Sequence, residues 1–303
     1  MTNAINQHWV PRFYLKEFST PETKNTKEPK VRIFSKIDGD PKIVNVKNIA
    51  AKRYLYSPKD DKGSRSWVTE DKLAKLESIV SSIWPSFANN FVDLGSDSIR
   101  KCVSLFLATL ILRHPSNLHE YRIIQNKMIE YFDGLPKDDE GRPKVNHIET
   151  PDGTFEFDVS NWNEYSKPTD YDREIFFVEQ INREAINVAK ILMEKRWSVL
   201  FSDESGFITT DRPVSIFNQD KDKFGVSSKG TFIKLPISPT RVLILDDRFQ
   251  EPGSRYYPLS EQGHGPANLT SWIHAHRFMI TGRDTDEVCE EMLSLEAHEG
   301  GNA

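Results

Sequence analysis

The order in which two hydrophobic periods follow each other is what most limits this fold. From Val68 to about Tyr131, and again from about Asp172 to Lys195, the apolar residues recur at helical spacing. From Trp197 onward they come in short runs (WSVLF, GFITT, VSIF, TFIKLPIS, RVLILD, RFMITG) separated by turn residues. Helices that mostly precede strands, with no βαβ alternation, do not build a doubly wound parallel sheet. The pattern predicts an α+β protein, with a helical N-terminal and central part packed on a mainly antiparallel sheet formed by the C-terminal part. The 303 residues are expected to form a single domain, 1–303, with a strand-rich subdomain at 197–303. Residues 133–172, rich in Gly, Pro and acid, are expected as a surface insertion, with a hairpin around the PDG at 151–153 as one form for it.

Within the helical part, Val68, Leu73, Leu76, Ile79, Val80 and Ile83 fall near one face, with Thr69 as the expected N-cap and Glu70 and Asp71 near the positive end of the dipole. A second helix is predicted from about Asp97 to His114, stopped by Pro115. It is apolar on most sides, which predicts a central position. Further helices are predicted at about 117–131, 172–195, 266–276 and 284–295. Near the N-terminus, VRIFSK and IVNVKN flank a DG turn and read as a hairpin.

Composition and motifs remove several function classes. The net charge of −5 excludes a strongly basic nucleic-acid coat, although a local basic groove stays open. The longest apolar run, Val103–Leu112, is far short of the roughly 20 residues a membrane span needs, and the first residues lack the signal-peptide pattern. A cytoplasmic protein with no membrane partner is expected. Cys102 and Cys289 read as free thiols. No GxxxxGK[ST], GxGxxG, HExxH or GxSxG occurs, and no paired CxxC.

Polar residues in unusually apolar surroundings remain. In NQHWVPRFYLKEFS, residues 6–19, Pro11 suits the first turn of a short helix, which leaves Arg12 at an end that the dipole disfavours for a cation. A nearby anion or carboxylate would remove that penalty. Arg113-His114 ends the most apolar helix. In GFITTDRPVSIF, Asp211 leaves a buried strand, either to bond backbone N–H groups or to act as a functional carboxylate. Glu70 and Glu77 are two helical turns apart on one face, and Glu77 is the one expected to turn inward. His274 and His276 do not have the spacing of a metal pair on a helix.

Several of these stretches resemble one family. QHWVPRFYLKEF resembles the QHxxPRxYLxxF opening of the largely bacterial family called domain of unknown function 4238. FITTDRPV is similar to that family's later FITSDNPV, and PISPTRVLIL to its following strand pair; VTEDKLAKLES, LILRHP and HAHRFMITG fit its usual order. The resemblance spans nearly the whole chain. It places His8, Pro11, Arg12, Tyr14, Asp211 and Pro213 on motif positions and implies no activity. Arg212 stands where Asn is usual, and Thr210 where Ser is usual.

Three readings follow. In the first, the chain is a nuclease-like hydrolase of phosphodiesters or nucleotides. Arg12 and Arg113 would clamp phosphate, His8 would act as acid or base, and Asp211 would orient it or bind a divalent Mg or Mn ion, with Glu77 nearby. Gln7, Tyr14 and Thr210 are the candidate ligand contacts. In the second, the same cleft binds or senses an anionic ligand or nucleic acid without chemistry. In the third, Arg12 and Asp211 form a buried ion pair that pins the N-terminus to the strands.

Overall fold

The structure is a computed structural model that describes residues 4–60, 62–150, 153–220, 223, 225–260 and 263–299. The chain opens with strand β1 (Asn6–His8), helix α1 (Arg12–Glu17), hairpin strands β2 (Lys30–Ser35) and β3 (Pro41–Asn45), and strand β4 (Ala51–Arg53). Strand β4 pairs antiparallel with β1, so His8 lies opposite Ala51. Three helices follow: α2 (Val68–Asn89), α3 (Asp97–Leu112) and α4 (Pro115–Asp133).

Two local expectations change here. Thr69 is not the cap of α2. The N-cap is Trp67, and the buried Thr69 hydroxyl accepts 2.7 Å from Asn182 Nδ2 instead. Pro115 also starts a helix as well as ending one. It occupies the first turn of α4, where its fixed φ suits a helix and its missing N–H costs nothing. His114 is that helix's N-cap, its Nδ1 accepting 3.1 Å from Ser116 N.

The segment after α4 carries hairpin strands β5 (His147–Thr150) and β6 (Gly153–Glu156) and a single turn, α5 (Trp162–Tyr165). Pro151 and Asp152, at the expected PDG turn, lie outside the described residues. Helix α6 (Asp170–Glu194) starts with a capping box: Thr169 and Asp172 bond each other's backbone N–H. It runs along α3.

The C-terminal part contributes β7 (Arg196–Phe201), β8 (Thr209–Thr210), β9 (Ser215–Asn218), β10 (Thr231–Ser238), β11 (Arg241–Asp246), β12 (Arg255–Pro258), α7 (Gly265–His274), β13 (Phe278–Thr281) and α8 (Thr285–Glu299). One sheet runs β12-β7-β11-β10-β9, antiparallel except for the parallel β12–β7 edge. The second runs β3-β2-β13-β8 and is wholly antiparallel. The fold is α+β, as the order of the two periods predicts. One detail differs: the second sheet borrows its β2–β3 hairpin from the N-terminal part.

The core lies between the helices and the first sheet. Ile233, Leu235 and Ile237 of β10 and Leu243 and Leu245 of β11 alternate inward and share one buried cluster with α1, α2 and α3. Trp84 of α2 is its centre, within ring contact of Phe13, Tyr14, Phe87 and Phe106. Phe106 and Leu107, with Val103 and Ala108, bury α3 on several sides, which is what its all-round apolar sequence predicts. No helix among the described residues is long and apolar enough to cross a membrane.

Candidate functional site

Strand β1 and helix α2 form two walls of a cleft of about 400 Å³. Alternation along the extended N-terminus turns Ala4, Asn6 and His8 towards it. On α2, Glu70, Leu73, Ala74, Glu77, Ser78 and Ser81 line it, an i, i+3, i+4, i+7 series that marks a single helix face. Small side chains at Ala74, Ser78 and Ser81 leave the space open. Arg12 and Phe13 of α1 and Arg113 at the end of α3 complete the lining.

Arg113 is fully buried, which for an arginine requires partners. Its Nε donates to Trp9 O at 2.9 Å and its Nη1 to Glu77 Oε1 at 2.6 Å. Among the described residues its Nη2 has no hydrogen-bond partner, and neither does the buried Nε2 of His8. Arg12 is exposed at the first position of α1, with no acidic residue in that turn and no carboxylate within 4.0 Å among the described residues. The dipole penalty anticipated for it is therefore not relieved by the protein.

Two titrations are displaced. Burial, with the Arg12 guanidinium beside it, holds His8 down to about 4, although hydrogen bonding to the backbone at Val46 and Lys47 opposes this. The ring is neutral at pH 7. Burial and the neighbouring Glu77 carboxylate push Glu70 up to about 7, against the opposing pull of Arg113. Glu70 has no ion-pair or hydrogen-bond partner for its carboxyl among the described residues. The cleft thus holds two cations, one carboxylate already paired to Arg113, and one carboxyl that gains or loses its proton near neutral pH.

His8, Arg12, Glu77 and Arg113 therefore converge, whereas Asp211 does not join them. Asp211 is 1% exposed, and its Oδ1 accepts from the backbone N–H groups of His276 and Arg277, each at 3.1 Å. The expected Arg12–Asp211 ion pair is absent, because that carboxylate is committed to the loop before β13. Burial raises its pKa, opposed by those backbone bonds. Arg212 turns outward, 3.7 Å from Glu120.

The three expected ligand contacts also point elsewhere. Gln7 is one residue out of phase with His8, so its side chain is buried on the other side of β1, donating 2.7 Å to Ser57 Oγ and accepting 2.6 Å from Tyr56 N. Tyr14 faces the core, its hydroxyl 2.6 Å from Thr209 Oγ1 and donating 2.7 Å to Pro236 O. Thr210 accepts 3.2 Å from Arg212 N, a local turn bond. Glu70 was visible in the sequence through its spacing from Glu77, but nothing local shows that β1 and α3 close over it.

Near Asp211 lies a second polar cluster with a structural character. The Trp9 indole donates 2.9 Å to Asp211 O, and its ring meets His114 edge-on, 5.8 Å between centroids. His114 in turn meets His276 at 5.1 Å. Burial and the nearby Arg212 hold His114 at about 3. Among the described residues no group of three or more His, Cys, Asp or Glu side chains is arranged to hold a metal ion. A hollow of about 420 Å³ between α4 and α6 is as large as the cleft. Its walls include Ile124, Met128, Tyr165 and Phe176, and contribute no unpartnered buried polar atom.

A family model described as Protein of unknown function (DUF4238) matches residues 6–285. The chain belongs to that family. The match begins on the residues of β1 that line the cleft and continues through β13. No curated protein and no solved structure matches the chain.

Proposed function

We propose that the chain binds a small anionic ligand, of the phosphate-ester class, in the cleft between β1, α1, α2 and the end of α3. What carries this reading is Arg113 Nη2, a fully buried guanidinium N–H that no acceptor among the described residues satisfies and that belongs to a cleft-lining side chain. Leaving such a donor unpaired costs roughly 1–3 kcal/mol, and an anionic oxygen would offset that cost. Arg12 supports it from the rim as a second cation without a carboxylate partner. Glu70 and Glu77 on the same walls, with the net charge of −5, disfavour a long polyphosphate backbone, so a small ligand fits better than a nucleic-acid strand.

The second reading is hydrolysis of the ligand's phosphoester by the same residues, and one feature favours it. Glu70 titrates near neutral pH beside the anion site, where a general acid or base is most effective. Against His8 in that role stand its depressed pKa and the absence of Asp211 as an orienting partner.

Isothermal titration calorimetry with inorganic phosphate and nucleotides separates these readings, run beside a turnover assay with and without Mg²⁺ or Mn²⁺. Saturable binding that weakens at least ~10-fold in Arg12→Ala, with the melting temperature unchanged, is the expected result, since Arg12 makes no ion pair whose loss would unfold the protein. Affinity unaffected by Arg12→Ala would sink the anion reading. Turnover that Glu70→Gln abolishes would establish the hydrolase.

A further inference from the structure

The cleft holds three polar groups that the protein leaves unmet. Among the described residues the buried Arg113 Nη2, a donor, and His8 Nε2, at the inner end of β1, have no hydrogen-bond partner, and the half-buried Glu70 carboxyl has neither a hydrogen-bond nor an ion-pair partner. Their chemistry is not uniform. The Arg12 and Arg113 side suits negative charge. The Glu70 side does not, because burial and the Glu77 carboxylate already disfavour a negative charge at that position. A ligand carrying only negative groups therefore satisfies one side and burdens the other.

Resting on the anion reading above, we infer that the ligand is a hydroxylated phosphomonoester, such as a sugar phosphate or nucleoside monophosphate. Its phosphate meets Arg113 and Arg12, and a hydroxyl of the same molecule bonds Glu70, which is the specificity residue of the site. A hydroxyl can donate to a carboxylate and accept from a carboxyl, so it pairs with either form of Glu70. An ammonium pairs only with the ionised form. Two guanidiniums match a phosphate dianion better than a single carboxylate. Between the two polar ends, Phe13, Leu73 and Ala74 offer an apolar floor against which the carbon face of a sugar can lie.

The test is calorimetric titration of the full chain with four probes: ribose 5-phosphate, butyl phosphate, inorganic phosphate and glycine. Butyl phosphate keeps the phosphomonoester and lacks the hydroxyls. In the unmodified protein ribose 5-phosphate is expected to bind roughly 10-fold tighter than butyl phosphate, the worth of one hydrogen bond to a charged group. Glu70→Ala removes that preference, while Glu70→Gln restores part of it; inorganic phosphate, which makes no hydroxyl contact, binds both variants at least as tightly as the unmodified protein, because each has lost an ionisable carboxyl from the cleft. Circular dichroism melts establish that each variant is folded. If Glu70→Ala fails to fold, the probe comparison in the unmodified protein and in Glu70→Gln still decides the matter. Equal affinity for ribose 5-phosphate and butyl phosphate overturns the inference, as does a preference that survives Glu70→Ala. Glycine binding more tightly than any of the phosphates would also overturn it, in favour of a zwitterionic ligand. The first two failures leave the anion reading standing, whereas the glycine result replaces it. That reading falls separately if inorganic phosphate does not bind and Arg12→Ala changes no affinity.

Discussion

Glu70→Gln is expected to stabilise the protein, and only on the alkaline side. In the folded state burial and Glu77 raise Glu70 from its usual 4.5 to about 7. Between those values the folded protein keeps a proton that the unfolded chain has released. By linkage, the stability contributed by this group is full below pH 4.5 and is lost as pH rises through 7. Ionising a carboxyl displaced that far costs at most ~3 kcal/mol in the folded state. Glu70 is half-buried, and solvent screening reduces this to roughly 1–2 kcal/mol. Glutamine keeps the shape and has no proton to lose. The variant's advantage should therefore be small at pH 5 and approach ~1–2 kcal/mol at pH 8, or roughly 2–5 °C in melting temperature for a chain of this length. Urea unfolding of both proteins at the two pH values measures it, since every other titrating group cancels in the difference. An identical offset at pH 5 and pH 8, or a destabilised variant at pH 8, would refute the reasoning.

Other expectations concern the groups around the cleft. His8 at about 4 and His114 at about 3 both resist protonation, so their contribution is full above pH 6.5 and is lost as pH falls; neither ring should titrate between pH 5.5 and 8 by NMR. Asp211→Ala strands the N–H groups of His276 and Arg277 and should cost ~2–4 kcal/mol in urea unfolding, whereas Asp211→Asn, which keeps Oδ1 as an acceptor, should cost much less. A double-mutant cycle between Arg12→Ala and Asp211→Ala should be additive within ~0.5 kcal/mol, because no ion pair joins the two residues. Gly282→Ala would set a methyl 2.5 Å from Ser19 O, where backbone meets backbone, and should lower stability by at least ~2 kcal/mol in thermal melts.

Most of the secondary structure was legible because it is written in local periods. The stripe on α2 and the all-round apolar α3 announce themselves, and so do the runs that become β7, β10 and β11. Strands β1 and β4 did not. Each is three residues long, too short for alternation to show, and they pair across a long stretch of chain. Strand β12, an edge strand with mixed burial, was missed for the same reason. The partnership of β2 with β13 joins the two ends of the chain, and no local pattern carries it. At the site, the residue types in the opening stretch were conspicuous, but their sides were not. The phase of β1 sends His8 to the cleft and Gln7 to the core, and that phase depends on β4. Asp211 was open to two roles from sequence. Backbone donors at His276 and Arg277, far along the chain, decide between them.

The opening segment mixes residues that line the cleft with residues that only hold it, and Trp9 explains why both sets occur together. Its carbonyl accepts from Arg113, the buried cation of the cleft, while its indole donates to the backbone of Asp211 in the strand-rich part. One residue therefore fixes the position of the guanidinium relative to the second sheet. Arg113 in turn orients Glu77, which adds to burial in raising the pKa of Glu70. The polar residues of the Asp211 cluster have no place in the cleft, yet they locate the strand on which His8 is carried. His8 and Asp211 thus have separate parts: one lines the space, and the other holds the wall in place.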